Sequence, residues 1–353
     1  MEDKMRLPVT RNPLITSWQW HATLFSILSE DENAKKWIYS NYIQLRSFKV
    51  EEIFTGDEIL FADMIPGTSS LKACPYLVTS LMTKSQIECY CGDIVDFIIK
   101  TLDLGGYVYG VFDEAKILSD YSVDYKFPHE LFIYGYNRDK KYFYTGDFTF
   151  KERYSHNTVS FEELRKGYEA ISPDEDHMFR DDYMGHRGLY VIFKNTDNPV
   201  YEVDIDFIKE SIFEYMNSVN TKKKYRMLRN IHDNTTYGIS VCDAVYDRLM
   251  EQVNKDEPDF DVRAIHVLYD HKKLMYERIK YLMDKGFLEY DADLLNNYGL
   301  VVKNMLTARN LLIKISITEN MEDAARFKMY FGIAKEKEAS VLLEVLSRLD
   351  KIK

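Results

Sequence analysis

Hydrophobic positions change period several times in the first half of the chain and hold a single period in the second. The run Ser17 to Leu28, SWQWHATLFSIL, passes from a polar entry into an apolar face of Leu24, Phe25, Ile27 and Leu28. That predicts a helix, stopped by the acidic cluster at 29–33. Ala34 to Phe48 carries Trp37, Ile38, Tyr42 and Leu45 at helical spacing and predicts a second helix. Leu71 to Met82 reads as a short helix with Pro75 near its first turn, and Asp93 to Leu104 as another, ended by Gly105 and Gly106. Tyr107 to Phe112 reads as a strand, Phe161 to Tyr168 as a helix, 171–190 as a connecting loop and Leu189 to Phe193 as a further strand. The clearest hairpin lies between these, with arms His129 to Tyr136 and Lys141 to Phe148. Its arms are aromatic and β-branched, and its turn, Asn137, Arg138, Asp139 and Lys140, is polar.

From Val203 onward the period is helical almost throughout. Ile205, Ile208, Ile212 and Tyr215 share one face, as do Ile239, Cys242, Val245 and Leu249. In Asp261 to Gly286 the set Ile265, Leu268, Met275, Ile279 and Leu282 follows spacings of three, four and seven, and two more helices fall at roughly 290–315 and 321–350. Helices followed by an antiparallel sheet are an α+β order, which suits a papain-like cysteine-protease fold with a C-terminal all-α extension. The expected division is a papain-like catalytic domain at 1–195 and a helical domain at 196–353.

Composition narrows the function. With 353 residues, 46% of them hydrophobic, 27 tyrosines and only 15 glycines and 8 prolines, the chain can bury a sizeable core. A net charge of −11 argues against nucleic-acid binding and favours a small amine or other cation as a substrate. Cys74, Cys89, Cys91 and Cys242 have no metal-ligand spacing, and His266 and His271 stand five apart rather than three or four, so no metal is expected. His156, His177, His186 and His232 lie among polar residues with no second ligand in register. There is no secretory-type apolar core near residue 1 and no run long enough to cross a bilayer, so no membrane contact and a cytoplasmic location are expected. Tyr107, Tyr109, Tyr134, Tyr136, Tyr142 and Tyr144 fit either an aromatic-lined cleft or a packed sheet.

The candidate chemistry sits at the ends of the hairpin. If Tyr136 pairs with Lys140, His129 lies opposite Asp147; pairing Tyr136 with Lys141 would put the two on opposite faces. The first register is the expected one, and it makes His129 a base oriented by Asp147. A papain-like site needs a thiolate at the amino end of the first core helix, and the residue just before the apolar run there is Ala22. Three accounts stay open: an alanine put in place of a cysteine, a natural pseudoenzyme, or a nucleophile elsewhere, with Cys74 beside Pro75 the leading candidate. Gln19, three residues earlier, either aims its amide at an oxyanion together with the backbone N–H at position 22 or is a core-edge glutamine.

The segments WQWHATLFSIL, FPHELFIYGYN, YFYTGDF and HVLYDHKKLMYERIKYL together resemble the butirosin biosynthesis protein H-like family over roughly 15–320. The resemblance implies a papain-like fold related to bacteriocin-processing peptidases and an amide-bond-forming acyltransferase of nonribosomal peptide and aminoglycoside pathways. In such an enzyme a cysteine takes an acyl group from the phosphopantetheine thioester of an acyl or peptidyl carrier protein and passes it to a small amine. Carried onto this chain, His129 is the base, Asp147 its orienter, and Ala22 occupies the nucleophile position. No bound cofactor is implied. Lys222, Lys223, Lys224, Arg226 and Arg229 form a candidate basic patch for an acidic carrier, or a solvated charged loop. The same frame also fits a cysteine peptidase or amidase, and a non-catalytic binding protein with a vestigial site.

Overall fold

The computed structural model describes residues 4–51, 58–118, 126–149, 153–172, 188–197, 201–224, 226, 234–253, 261–318 and 322–350. In chain order the elements begin with β1 (Lys4–Arg6), α1 (Gln19–Leu28), α2 (Glu32–Ser40), β2 (Leu45–Glu51), β3 (Glu58–Met64) and α3 (Ser70–Ala73). Next come β4 (Leu77–Thr83), α4 (Lys84–Cys91), α5 (Ile94–Asp103), β5 (Tyr107–Asp113), α6 (Glu114–Ile117), β6 (Pro128–Asn137) and β7 (Tyr142–Asp147). The rest are β8 (Ser155–Ser160), α7 (Phe161–Ala170), β9 (Gly188–Lys194), α8 (Ile205–Met216), β10 (Thr236–Tyr237), α9 (Ser240–Val253), α10 (Arg263–Asp284), α11 (Ala292–Thr318) and α12 (Glu322–Leu349). The chain forms two compact units: Met1–Ala34 with Thr68–Val200, and Lys35–Gly67 with Tyr201–Lys353. The 35–67 segment thus belongs with the carboxyl half, so a division at 195/196 does not describe the molecule.

The first unit is α+β. Its antiparallel sheet has seven strands in the order β4-β9-β5-β6-β7-β8, with β1 paired to β6. Leu131, Ile133, Phe112 and Val108 of the sheet pack against Ile94, Ile98 and Leu102 of α5 and Leu164 of α7. Local signals set several boundaries. Asp93 accepts hydrogen bonds from the backbone N–H groups of Val95 and Asp96 and starts α5, and a reciprocal cap between Ser160 and Glu163 starts α7.

Two sequence expectations fail here. The helix expected at Leu71 to Met82 is one turn, α3, followed by strand β4. Cys74 is extended at ψ 119, as a residue before proline tends to be, so the helix cannot pass Pro75. The helix expected at Ala34 to Phe48 stops at Ser40, and Leu45–Glu51 is a strand. Its end is gathered by Arg278 of α10, whose guanidinium donates to the carbonyls of Tyr39 (2.7 Å), Asn41 (2.6 Å) and Tyr42 (3.1 Å). Tyr42 takes φ 55, which breaks the helical path.

The second unit is mainly helical but not all-α, because β10 joins β2 and β3 in a three-stranded sheet. In α11 the buried residues Leu294, Tyr298, Val301, Met305, Ala308 and Leu312 follow spacings of three and four, matched in α12 by Phe327, Phe331, Ala334, Glu338, Val341 and Val345. Glu338 is a carboxylate within that apolar seam. Lys272 Nζ lies 2.7 Å from it, Tyr298 donates to its Oε1 at 2.8 Å, and Tyr215 donates to its Oε2 at 3.0 Å. Lys272 also donates to the Tyr215 hydroxyl at 2.7 Å, and His271 Nε2 stands 2.8 Å from the Ile43 carbonyl. Lys272, His271 and Arg278 all belong to the HKKLMYERIKYL stretch, and all are fully buried. That stretch therefore carries the internal polar network of this unit.

Removing one member of a buried ion pair leaves an uncompensated charge. Lys272→Met is expected to lower unfolding stability by roughly 3–5 kcal/mol in urea titration. Adding Glu338→Gln, which removes the orphan charge and keeps an acceptor for the tyrosines, is expected to recover about half of that loss.

Candidate functional site

Strand β6 opens at Pro128, beside the end of β5, with Phe112 opposite His129 and Asp113 opposite Pro128. Asp113 Oδ1 accepts from the N–H groups of Ala115 (3.1 Å) and Phe127 (2.9 Å), tying α6 to the entry of β6. Glu114, the first residue of α6, is thereby held against the histidine, with its Oε1 3.1 Å from His129 Nδ1. Glu130 Oε2 is 3.9 Å from the same nitrogen. Thr149 Oγ1 donates to Glu114 Oε1. His129 keeps 26% of its side chain exposed, while Glu114 and Glu130 keep 2% and 5%.

The carboxylate at His129 Nδ1 is therefore Glu114 rather than Asp147. The hairpin register explains the exchange. Asn137 pairs with Tyr142 and Tyr136 with Phe143, so the turn closes differently from the expected pairing of Tyr136 with Lys140. An irregularity between Ile133 and Gly135 then shifts the register by one, giving Phe132 opposite Gly146. Continued one residue, Asp147 falls opposite Leu131, two positions from His129 and on the same face. Without that shift the two would lie on opposite faces. Glu114 leaves no local signal in the sequence, because only the pairing of β5 with β6 puts the residue after one strand beside the first residues of the other.

Asp147 is fully buried. Its Oδ1 accepts from Asn157 Nδ2 at 2.9 Å and from the Thr149 N–H at 3.1 Å. Burial pushes its pKa up to about 6, and the nearby charge of Glu114 acts in the same direction, against the partial offset from Asn157 and Thr149. Burial also raises Glu130. For His129 burial opposes charging, but Glu114 and Glu130 outweigh it and lift the ring to about 10. At neutral pH the ring is an imidazolium held by carboxylates, which cannot take a proton from a nucleophile.

The other site residues are also placed differently from expectation. Gln19 is the first residue of α1, and its Nε2 donates to the Gly146 carbonyl at 2.6 Å in a buried hydrogen bond. Its amide is thus spent on the backbone beside Asp147 and is not aimed at an oxyanion. Glycine at 146 permits the approach of Tyr154, whose hydroxyl would meet any side chain there. Ala22 lies a full turn inside α1, is 0% exposed, and its N–H donates to Trp18 O at 2.9 Å. Neither its side chain nor its amide is available to a substrate. The amino end of the helix is Trp18, Gln19, Trp20 and His21, without a thiol. Burial pushes Cys74 up to about 12, and it also raises Cys242; both are inert in that state.

Five of the six named tyrosines are buried, and they pack in the sheet rather than line a cleft. His156 Nδ1 stands 3.1 Å from the Tyr134 hydroxyl. His177, His186, His232 and Arg229 lie outside the described residues. Within the candidate basic patch, Lys224 is engaged by Glu214 at 2.9 Å and Glu210 at 3.4 Å. No cluster of metal-ligating side chains occurs among the described residues, and none of their helices is long and apolar enough to cross a membrane. In comparison with known proteins, no family model and no curated protein matches the chain.

The raised pKa of His129 means that the folded state favours the charged ring. Its contribution to stability is complete below about pH 6.5 and is lost as pH rises through about 10. Long-range proton–nitrogen NMR is expected to show an imidazolium at pH 8, and Glu114→Gln is expected to lower its pKa by at least about one unit. Asp147 has the opposite sign: its ionised form is penalised above about pH 6. Asp147→Asn is therefore expected to gain about 2 kcal/mol at pH 7.5 in urea titration, with the gain shrinking through pH 6 and absent below about pH 4.

Proposed function

We propose that the first unit is a non-catalytic binding module on a frame like that of cysteine acyltransferases, with a site that takes a small amine beside His129. The observation that carries this reading is the start of α1. A covalent acyl-transfer site needs a thiolate there with free N–H groups; here Gln19 is bonded to Gly146 and Ala22 is sealed in the helix. What favours an amine is the charge beside His129, where Glu114 and Glu130 outnumber the single imidazolium and Asp147 adds to the field at Glu114. The papain-like fold and the carrier-protein partner belong to this reading only through the family resemblance. Amide-bond formation from a carrier thioester would require a nucleophile that neither Gln19 nor Ala22 supplies.

The test is intact-mass analysis of the chain with Ala22 and of Ala22→Cys, each mixed with an acyl-N-acetylcysteamine thioester and then with a diamine. No adduct is expected on either, because position 22 is enclosed. An acyl adduct on Ala22→Cys that the diamine discharges, and that His129→Ala abolishes, would overturn the non-catalytic reading and restore the acyltransferase.

A further inference from the structure

The second unit contains a cleft of about 280 Å³ on one face of its small sheet. Its floor is Ser47 and Lys49 of β2, with Leu60 of β3 opposite Lys49 and Thr236 of β10 opposite Ser47. One wall is the face of α9 that carries Ala244, Asp247, Arg248 and Glu251, spaced three, four and seven along the helix. The volume is near the lower end for ligand sites and would hold about nine waters at ~30 Å³ each.

Two observations point to an occupant. Ser47 is among the residues lining the cleft and is 1% exposed, and its hydroxyl has no hydrogen-bond partner among the described residues. A buried hydroxyl without a partner is costly in a folded protein, and a ligand hydroxyl would satisfy it. The second is the state of the charges. Lys49 is paired with Glu58 at 2.6 Å, and Arg248 is paired with Glu251 at 3.3 Å and donates to the Glu58 carbonyl. Asp247 has no ion-pair partner among the described residues and stands exposed at the rim. The cleft therefore presents one uncompensated carboxylate above a hydroxyl floor, with Leu60 and Ala244 as apolar contacts for methylene groups.

We infer that this cleft binds a small hydroxylated primary amine, its ammonium at Asp247 and a hydroxyl at Ser47. The inference concerns the second unit alone, so it stands or falls separately from the reading of the His129 site. An anion is disfavoured because both cations already have carboxylate partners, and an uncharged polyol would leave Asp247 unused.

The test is titration of the full chain with 2-amino-1,3-propanediol, followed by amide shifts of Ser47 and Thr236 in proton–nitrogen NMR, with glycerol and glycerate as comparison probes. Saturable shifts in the low millimolar range are expected for the amino alcohol, with glycerol at least about tenfold weaker and glycerate silent. Ser47→Ala and Asp247→Asn should each weaken the amino alcohol by about tenfold, while resonances away from the cleft stay in place and show that the fold is intact. The inference is overturned if no shift occurs up to about 50 mM, if glycerate binds as well, or if either substitution leaves the affinity unchanged.

Discussion

Strand β6 is hydrogen-bonded along both edges, to β5 and β1 on one side and to β7 on the other. A strand paired on both sides has little freedom in register, because a slip by one residue would turn every side chain to the other face. The single irregularity between Ile133 and Gly135 is therefore consequential. On the turn side of it the hairpin runs in one register, and on the other side His129 and Asp147 share a face. The β5 edge then delivers Glu114 to the same ring. Backbone pairing decides the electrostatics of this site before any side chain does.

The two units handle buried charge differently. In the second, Glu338 is met by an ammonium and two tyrosine hydroxyls, so the carboxylate is compensated on both oxygens. Such a network specifies one packing of α8, α10, α11 and α12. In the first, Glu114 and Glu130 flank one partly exposed imidazolium, and Asp147, within the field of Glu114, is held with its pKa near 6. A group kept in a state that disfavours its charge is a pointer to binding or chemistry, since packing alone gains nothing from it. That contrast is why the functional reading rests on His129 and its neighbours, while the histidine and lysine of HKKLMYERIKYL are read as core.

A histidine and an acid at the ends of a hairpin do not by themselves make a base and its orienter. Carboxylates crowded around His129 raise its pKa so far that it is a cation at neutral pH. An imidazolium suits a thiolate partner, but the helix start facing that role carries Trp18 and Gln19, and the amide of Gln19 is tied to Gly146. The geometry is that of an anchored helix and a histidine held between carboxylates.

Local pattern alone determined the elements whose signals are local: α5 with its Asp93 cap and glycine stop, α7 with its Ser160–Glu163 cap, the two aromatic arms of the hairpin, and the long amphipathic helices of the carboxyl half. Side-chain period and capping chemistry act over a few residues, so they can be read along the chain. Tertiary structure decided the rest. The end of α2 depends on Arg278, more than two hundred residues away; β2 and β3 find their third strand at Thr236–Tyr237; and Glu114 reaches His129 only through strand pairing. The bulge in β6 and the burial of Ala22 belong to the same class. Each is set by contacts between distant segments, and long-range hydrogen bonds, burial and register leave no period in the sequence.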